Sequence, residues 1–211
     1  MTATAFMPVT EKIIKLLFSK SDFISVPATE TEFWQLIDLP QYRLEFHHNQ
    51  IVGTMSYATT NHERVVSNLI FALRSLLDED NHEVFGSNRP IYAAGCGNIY
   101  EPDVHVIQGN LEEYRYAKTK TASQNPAIIF EVFSPSTKDF DVTEKLSCYK
   151  LMPTLQHIVF IEPSKINVHV YNRIDTEDWK TVVYTRNDDK ITLLDAIIPI
   201  RHLYKKVIFQ I

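Results

Sequence analysis

Cysteine is scarce in this chain, with only Cys96 and Cys148 among 211 residues. Their spacing fits no zinc-type pattern, so the simplest reading is two packing residues in a reducing, cytoplasmic setting. No apolar run approaches the roughly 18 residues that a membrane-spanning helix requires. The first residues, MTATAFMPVTEKIIKLLF, lack both a basic leading region and a small-residue cleavage site, which argues against a secretory signal. Positive charge is also in deficit, with 21 Lys and Arg against 26 Asp and Glu, a net charge of −5. That balance argues against a protein that coats nucleic acid non-specifically. It leaves a nuclease open, because a carboxylate cluster is itself negative until a metal binds. The eight histidines form no HExxH pattern, and His47-His48 is the one adjacent pair. No internal repeat, low-complexity tract or linker divides the chain. One domain over residues 1–211 is therefore expected, with residues 1–28 as a helical extension. A hydrophobic content of 45% and a charged content of 22% suffice for an ordinary core.

The chain is organised around Asn125–Lys150, NPAIIFEVFSPSTKDFDVTEKLSCYK. Ala127 to Phe133 reads as an apolar strand with one charged residue inside it, Glu131. A carboxylate buried without a partner is strongly disfavoured in its ionised form, so Glu131 must be paired, metal-bound or protonated. The run breaks at Ser134-Pro135-Ser136-Thr137. A helix follows from about Phe140 to Leu151, with Asp141, Lys145 and Tyr149 at four-residue spacing and Asp141-x-x-Glu144 able to cap it.

Elsewhere, Thr10 to Ser19 reads as a short helix broken by Ser25-Val26-Pro27. Thr29 to Asp38 reads as a second, opened by a Thr29-x-x-Glu32 capping box. Tyr42 to Phe46 and Gln50 to Met55 form a hairpin around His47-His48-Asn49. Asn61 to Asp78 is the strongest helix, with Val65, Val66, Leu69, Ile70, Leu73, Leu76 and Leu77 on one face and Asn61 or Thr60 as its cap. His62 at its start reads as a surface residue beside the cap. His82 to Phe85, Pro90 to Ala94 and a strand after Pro102-Asp103 follow. Gln108 to Gln124 is long for a hairpin loop and reads as a flexible functional loop. Strands at His157–Ile161, Lys165–Tyr171, Trp179–Tyr184 and Lys190–Leu194 suggest a meander. Ile197–Ile200 reads as an apolar turn before one helical turn.

Three carboxylates thus lie at strand positions, Glu45, Asp103 and Glu131, and Lys145 follows on a helix. Hard divalent cations take oxygen ligands of this kind, and a metal so held can activate water and neutralise charge on a phosphate under attack. A nearby lysine can steady that charge or help to deprotonate the water. Plainer readings stand beside this one. Glu45 alone reads as a solvated strand residue, Glu131 as one half of a structural ion pair, and Lys145 as an i,i+4 partner of Asp141. Ser134 and Thr137 read as turn residues, since no Ser/His/acid order accompanies them.

Pro102-Asp103-Val104, Glu131-Val132-x-Ser134-Pro135-Ser136-Thr137 and Asp141-x-x-x-Lys145-x-x-x-Tyr149 resemble the signature of the Uma-type restriction endonuclease family, within the PD-(D/E)XK nuclease superfamily. Tyr42-Arg43-Leu44-Glu45 and Asn61-His62 are similar to that family's N-terminal half. The resemblance implies an α/β, mixed-sheet, restriction-endonuclease-like core flanked by helices. It also implies Asp103 and Glu131 on adjacent strands as metal ligands, with Glu45 as the third acid. Mg2+, or Mn2+ in its place, would be the cofactor, and DNA the substrate class. Dimerisation is common in nucleases of this fold, and a homodimer is expected on the same grounds. The superfamily usually keeps a lysine two residues after the glutamate. Phe133 stands there in this chain, which makes Lys145 the migrated substitute. The alternative implied by the same resemblance is a catalytically silent nuclease-fold protein that binds nucleic acid or a protein partner.

Overall fold

The computed structural model describes residues 11, 23–37, 42–55, 58–116, 120–134 and 141–209. The strands are β1 (Phe23–Pro27), β2 (Tyr42–His47), β3 (Gln50–Met55), β4 (His82–Gly86), β5 (Ile91–Ala93), β6 (Asn98–Tyr100), β7 (Val104–Gln108), β8 (Glu113–Arg115), β9 (Thr121–Ser123), β10 (Pro126–Val132), β11 (His157–Ile161), β12 (Val168–Arg173), β13 (Trp179–Tyr184), β14 (Lys190–Leu193) and β15 (Ala196–Pro199). The helices are α1 (Glu30–Leu36), α2 (Thr60–Leu76), α3 (Leu146–Lys150) and α4 (Ile200–Leu203). A π-helical turn, Asp141–Lys145, leads into α3.

β10 explains the apolar run around Glu131. It lies inside a six-stranded mixed sheet of order β13-β12-β11-β10-β7-β4, antiparallel to β7 and parallel to β11. All seven of its residues are buried, as a strand covered on both faces requires. A parallel neighbour needs a crossover rather than a hairpin, and the π turn with α3 provides it. Because side chains alternate, Ile128, Phe130 and Val132 face one way. They share a core with Val65, Leu69 and Leu73 of α2 and with Val104 and Val106 of β7. Ile129 and Phe133 face the other way, into a core with Tyr149, Met152, Ile158, Phe160 and Tyr100. Glu131 falls on this second side, beneath α3.

The other large sheet has seven strands in the order β1-β3-β2-β6-β5-β9-β8. Leu44 and Phe46 of β2 pack with Phe33 and Leu36 of α1, which leaves Arg43 and Glu45 on the opposite face. The expected capping box is present: Thr29 accepts from the Glu32 backbone N–H, and the Glu32 carboxylate accepts from the Thr29 backbone N–H.

Several expectations change. Residues 23–27, read as the broken end of a helical extension, form the edge strand β1 against β3. Pro27 closes that strand at an edge, where its missing N–H costs no ladder bond. The helix expected over Thr10–Ser19 lies outside the described residues apart from Glu11, as do Pro135, Ser136 and Thr137. Helix α2 is capped by Thr59, whose hydroxyl accepts from the His62 N–H, and not by Thr60 or Asn61. The long loop contains the hairpin pair β8–β9. The meander ends at β13, while β14 pairs with β15, a strand in the place expected to be an apolar turn. Cys96 and Cys148 lie side by side, with Cα atoms 6.0 Å apart. Fifty-two residues separate them, so only the tertiary fold reveals their proximity.

Close packing of β1 on β3 gives a direct test. A Cβ at Gly53 would lie 2.9 Å from Cγ1 of Ile24, whereas one at Gly86 meets nothing nearer than 3.8 Å. Gly53→Ala is expected to destabilise the fold by about 1–3 kcal/mol in urea unfolding. Gly86→Ala should cost clearly less, and equal losses would contradict this packing.

Candidate active site

Three separate elements deliver charged groups to one buried place. Glu45 comes from β2, Glu131 from β10, and Lys145 from the last position of the π turn. Lys145 Nζ donates to Glu45 Oε1 at 2.8 Å and to Glu131 Oε1 at 3.1 Å. The Tyr149 hydroxyl, one turn further along, donates to the same Glu131 oxygen at 2.6 Å. Glu45 Oε1 also accepts the backbone N–H of Glu101 at 2.9 Å. Glu45, Glu131 and Lys145 expose only 5%, 3% and 4% of their surface, so these bonds replace the solvation that burial removes. Burial and the Glu131 carboxylate push the Tyr149 hydroxyl well above its ordinary pKa, keeping it a proton donor. The Lys145 ammonium also lies 5.8 Å from the centre of the Tyr100 ring.

A second group surrounds Asp103, at the mouth of β7. Arg43 Nη1 donates to Asp103 Oδ1 at 2.9 Å, and the Val132 backbone N–H donates to Oδ2 at 2.7 Å. His62 Nε2 lies 3.3 Å from the same Oδ2. Burial opposes charge on Asp103, but Arg43, His62 and the Val132 N–H together hold its carboxyl well below the usual range. Burial likewise opposes a charged His62, and the Asp103 hydrogen bond and charge outweigh it, so His62 is raised above 6.5. Arg43 also pairs with Glu101, its Nε 3.4 Å from Oε2. Burial, with Glu45 nearby, lifts Glu101 to about 7 despite that pairing.

The structure thus brings Glu45 and Glu131 together around Lys145 and places Asp103 beside β10 through the Val132 N–H. Glu45 is not the solvated residue its local sequence suggested. Glu144 does not act as a helix-capping partner; its carboxylate lies 3.2 Å from Nε2 of His47. His62, read as a surface residue, is mostly buried against Asp103. Arg43 and Glu101 had been assigned no role. Each lies two residues before a predicted site acid; Arg43 shares a face of β2 with Glu45, and that period-2 spacing was the signal available. Phe133 occupies the position of the missing lysine and stacks on Phe160, with ring centres 5.4 Å apart.

The donor set suits a hard divalent cation. Among the described residues, the carboxylates of Glu45, Glu101, Asp103 and Glu131 meet Arg43, Lys145 and the His62 imidazole. Oxygen donors of this kind are what Mg2+ or Mn2+ takes. Lys145 Nζ now provides the positive charge between two of these oxygens.

A mixed sheet that carries acids on adjacent central strands beneath a crossover helix is the restriction-endonuclease-like architecture. A crystal structure described as a putative nuclease belonging to DUF820, from Anabaena variabilis, has the same fold: its TM-score is 0.68 at 18% identity, covering 86% of this chain and 100% of that one. The chain belongs to the Uma2 family, described as putative restriction endonuclease, whose profile matches residues 31–199. Two uncharacterized proteins of Synechocystis sp. are similar to it. One, sll1609, is 28% identical over 152 residues, covering 72% of this chain and 84% of its own length. The other, slr1290, is 26% identical over 157 residues, covering 74% and 80%.

The Asp103–His62 pair predicts a pH signature in metal-free protein. A folded-state pKa above 6.5 means that His62 contributes stability fully below pH 6.5, and that this is lost as pH rises through its folded value. In Asp103→Asn the attraction is gone while burial and Arg43 remain, so His62 is expected to titrate below 6.5. Imidazole NMR titration in EDTA checks this, and an unchanged His62 curve would refute the pairing.

Proposed function

We propose that this protein is a divalent-metal-dependent nuclease that hydrolyses phosphodiester bonds in DNA. The observation that carries this reading is the meeting of Glu45, Glu131 and Lys145 from three separate chain segments, with Asp103 bonded to the N–H of Val132 beside Glu131, on a fold shared with a described nuclease. Asp103 and Glu131 would hold Mg2+ or Mn2+, with Glu45 as the third acid. The bound ion would supply a Lewis acid that lowers the pKa of water and offsets charge on the phosphate.

The chain's own groups take definable parts. Lys145, released from Glu45, is positioned to assist deprotonation of the attacking water or to balance charge as the phosphate is attacked. It takes the place in the superfamily's chemistry that Phe133 vacates. Arg43 neutralises Asp103 and presents a planar fork suited to a phosphate oxygen. Tyr149 holds Glu131 in orientation, as hydrogen bonds behind ligating carboxylates do. A cytoplasmic setting and a homodimer belong to the same reading.

Calorimetric titration with Mn2+ is expected to show binding that Asp103→Asn and Glu131→Gln each weaken by about tenfold or more. Unchanged affinity in both variants would sink the site. A cleavage screen over single-stranded, double-stranded and branched DNA should show Mn2+-dependent hydrolysis. Lys145→Met is expected to slow it by about 10²–10⁴-fold. Metal binding without cleavage of any of the three substrates would instead support the silent, nucleic-acid-binding alternative.

A further inference from the structure

A second cluster of ligating groups stands beside the carboxylate site and takes no part in the reading above. His47 ends β2, and His48 begins the tight turn to β3. Neighbouring strand residues normally point to opposite faces, but His48 has a φ of 47° and Asn49 a φ of 60°. This turn folds the two imidazoles onto each other, with ring centres 4.0 Å apart. Glu144, from the π turn, comes to meet them. One ligand atom each from His47, His48 and Glu144 lies within 4.8 Å of the other two.

The surroundings hold this group in place. Nδ1 of His47 lies 2.7 Å from the Tyr100 hydroxyl and 3.0 Å from Nδ2 of Asn98. That leaves Nε2 as the nitrogen turned toward Glu144, 3.2 Å from its Oε2. Two ligands of a tetrahedral ion with bonds of 2.0–2.1 Å stand roughly 3.3 Å apart, so this pair already has the spacing of one ligand edge. Asn98 also fixes the turn, its Oδ1 accepting the His48 backbone N–H at 3.1 Å. His47 is buried, while His48 and Glu144 are exposed, so an ion reaches the cluster from solvent. With its Oδ1 taken by His48, Asn98 faces Nδ1 with its amide donor, so neutral His47 keeps its proton on Nε2 toward Glu144, and an ion bound there would displace that proton.

We propose that His47, His48 and Glu144 form a second cation site, selective for a borderline divalent ion such as Zn2+ or Co2+ over Mg2+. Two imidazole nitrogens and one carboxylate oxygen are the donor set those ions prefer, with further positions left to water. The site stands whichever reaction the carboxylate centre performs. Its occupant would also bear on that centre, since Glu144 immediately precedes Lys145 and His47 lies two residues beyond Glu45.

Co2+ serves as the probe, titrated into the EDTA-stripped full chain and followed by its visible d–d absorption and by broadening of the His48 imidazole resonances. The wild type is expected to bind one equivalent that gives both signals, whereas Co2+ at the carboxylate site leaves the His48 resonances unbroadened by direct ligation. His48→Ala and Glu144→Gln change exposed side chains, and each should weaken this binding about tenfold or more. Asp103→Asn disables only the proposed Mg2+ site, and it should leave the Co2+ signals intact. Equal affinity in His48→Ala and Glu144→Gln, loss confined to Asp103→Asn, or no binding at all would each overturn the proposal. Loss of Mn2+-dependent cleavage alone would count only against the nuclease reading.

Discussion

The buried ammonium of Lys145, held between Glu45 and Glu131, is the interaction on which the rest of the site depends. Each of these charges loses several kcal/mol of hydration on burial, and the loss is recovered only when geometry and further hydrogen bonds are good. The Glu101 N–H on Glu45 and the Tyr149 hydroxyl on Glu131 supply those bonds. Removing Lys145 alone would leave two carboxylates facing each other in a poorly solvated gap. Two strands from different sheets and the crossover turn are therefore locked to one another by charge as much as by packing. A well-packed apolar trio would serve stability at least as well, so this ionic arrangement is better explained by chemistry than by folding.

The same reasoning extends to Asp103. Arg43, Lys145 and His62 set positive charge against the four carboxylates, and Glu101, lifted to about 7, relieves part of the remainder. A site balanced in this way lies near a threshold. Added positive charge would favour ionised Glu101 and would free Lys145 and Arg43 from their acids. On the proposed reading those two side chains then become available to a phosphate, so the cations that hold the metal-free site together are also the groups that assist the reaction.

How much of this was legible in the sequence depends on distance along the chain. Glu131 announced itself because a charge inside an apolar strand is locally anomalous, and β10 is buried on both faces as that run implies. The Thr29–Glu32 capping box and the inner face of α2 are also local patterns; the box is present, and so is the face except for Leu76, which is exposed. The partners of Glu131 were harder to find. Lys145 lies 100 residues from Glu45, and no periodicity connects them; only the motif resemblance suggested that they meet. Pro27 was read as a helix breaker because an edge strand cannot be recognised before its neighbour is known. His62 looked like a surface residue because its burial depends on Asp103, which arrives from the segment between β6 and β7. The π turn was invisible for a related reason: four-residue spacing suits an α-helix, and only the wider turn brings Glu144 to His47 while Lys145 reaches Glu45 and Glu131.

That wider turn changes what the displaced lysine can do. A lysine two residues after Glu131 would be fixed by the ladder of β10, with its direction set by the pleat. Phe133 occupies that slot and uses it for packing against Phe160, which strengthens the core beneath α3. Lys145 instead rides on a π-helical turn, a weaker element often found at functional sites. Its backbone is tied to the rest of the protein through neighbours on either side: Tyr149 through Glu131, and Glu144 through His47. On the proposed reading, an ion held by Glu144 and His47 would bear on the placement of the ammonium through the π turn that carries both Glu144 and Lys145. A lysine built into β10 could not be controlled in that way, because nothing short of breaking the strand would move it.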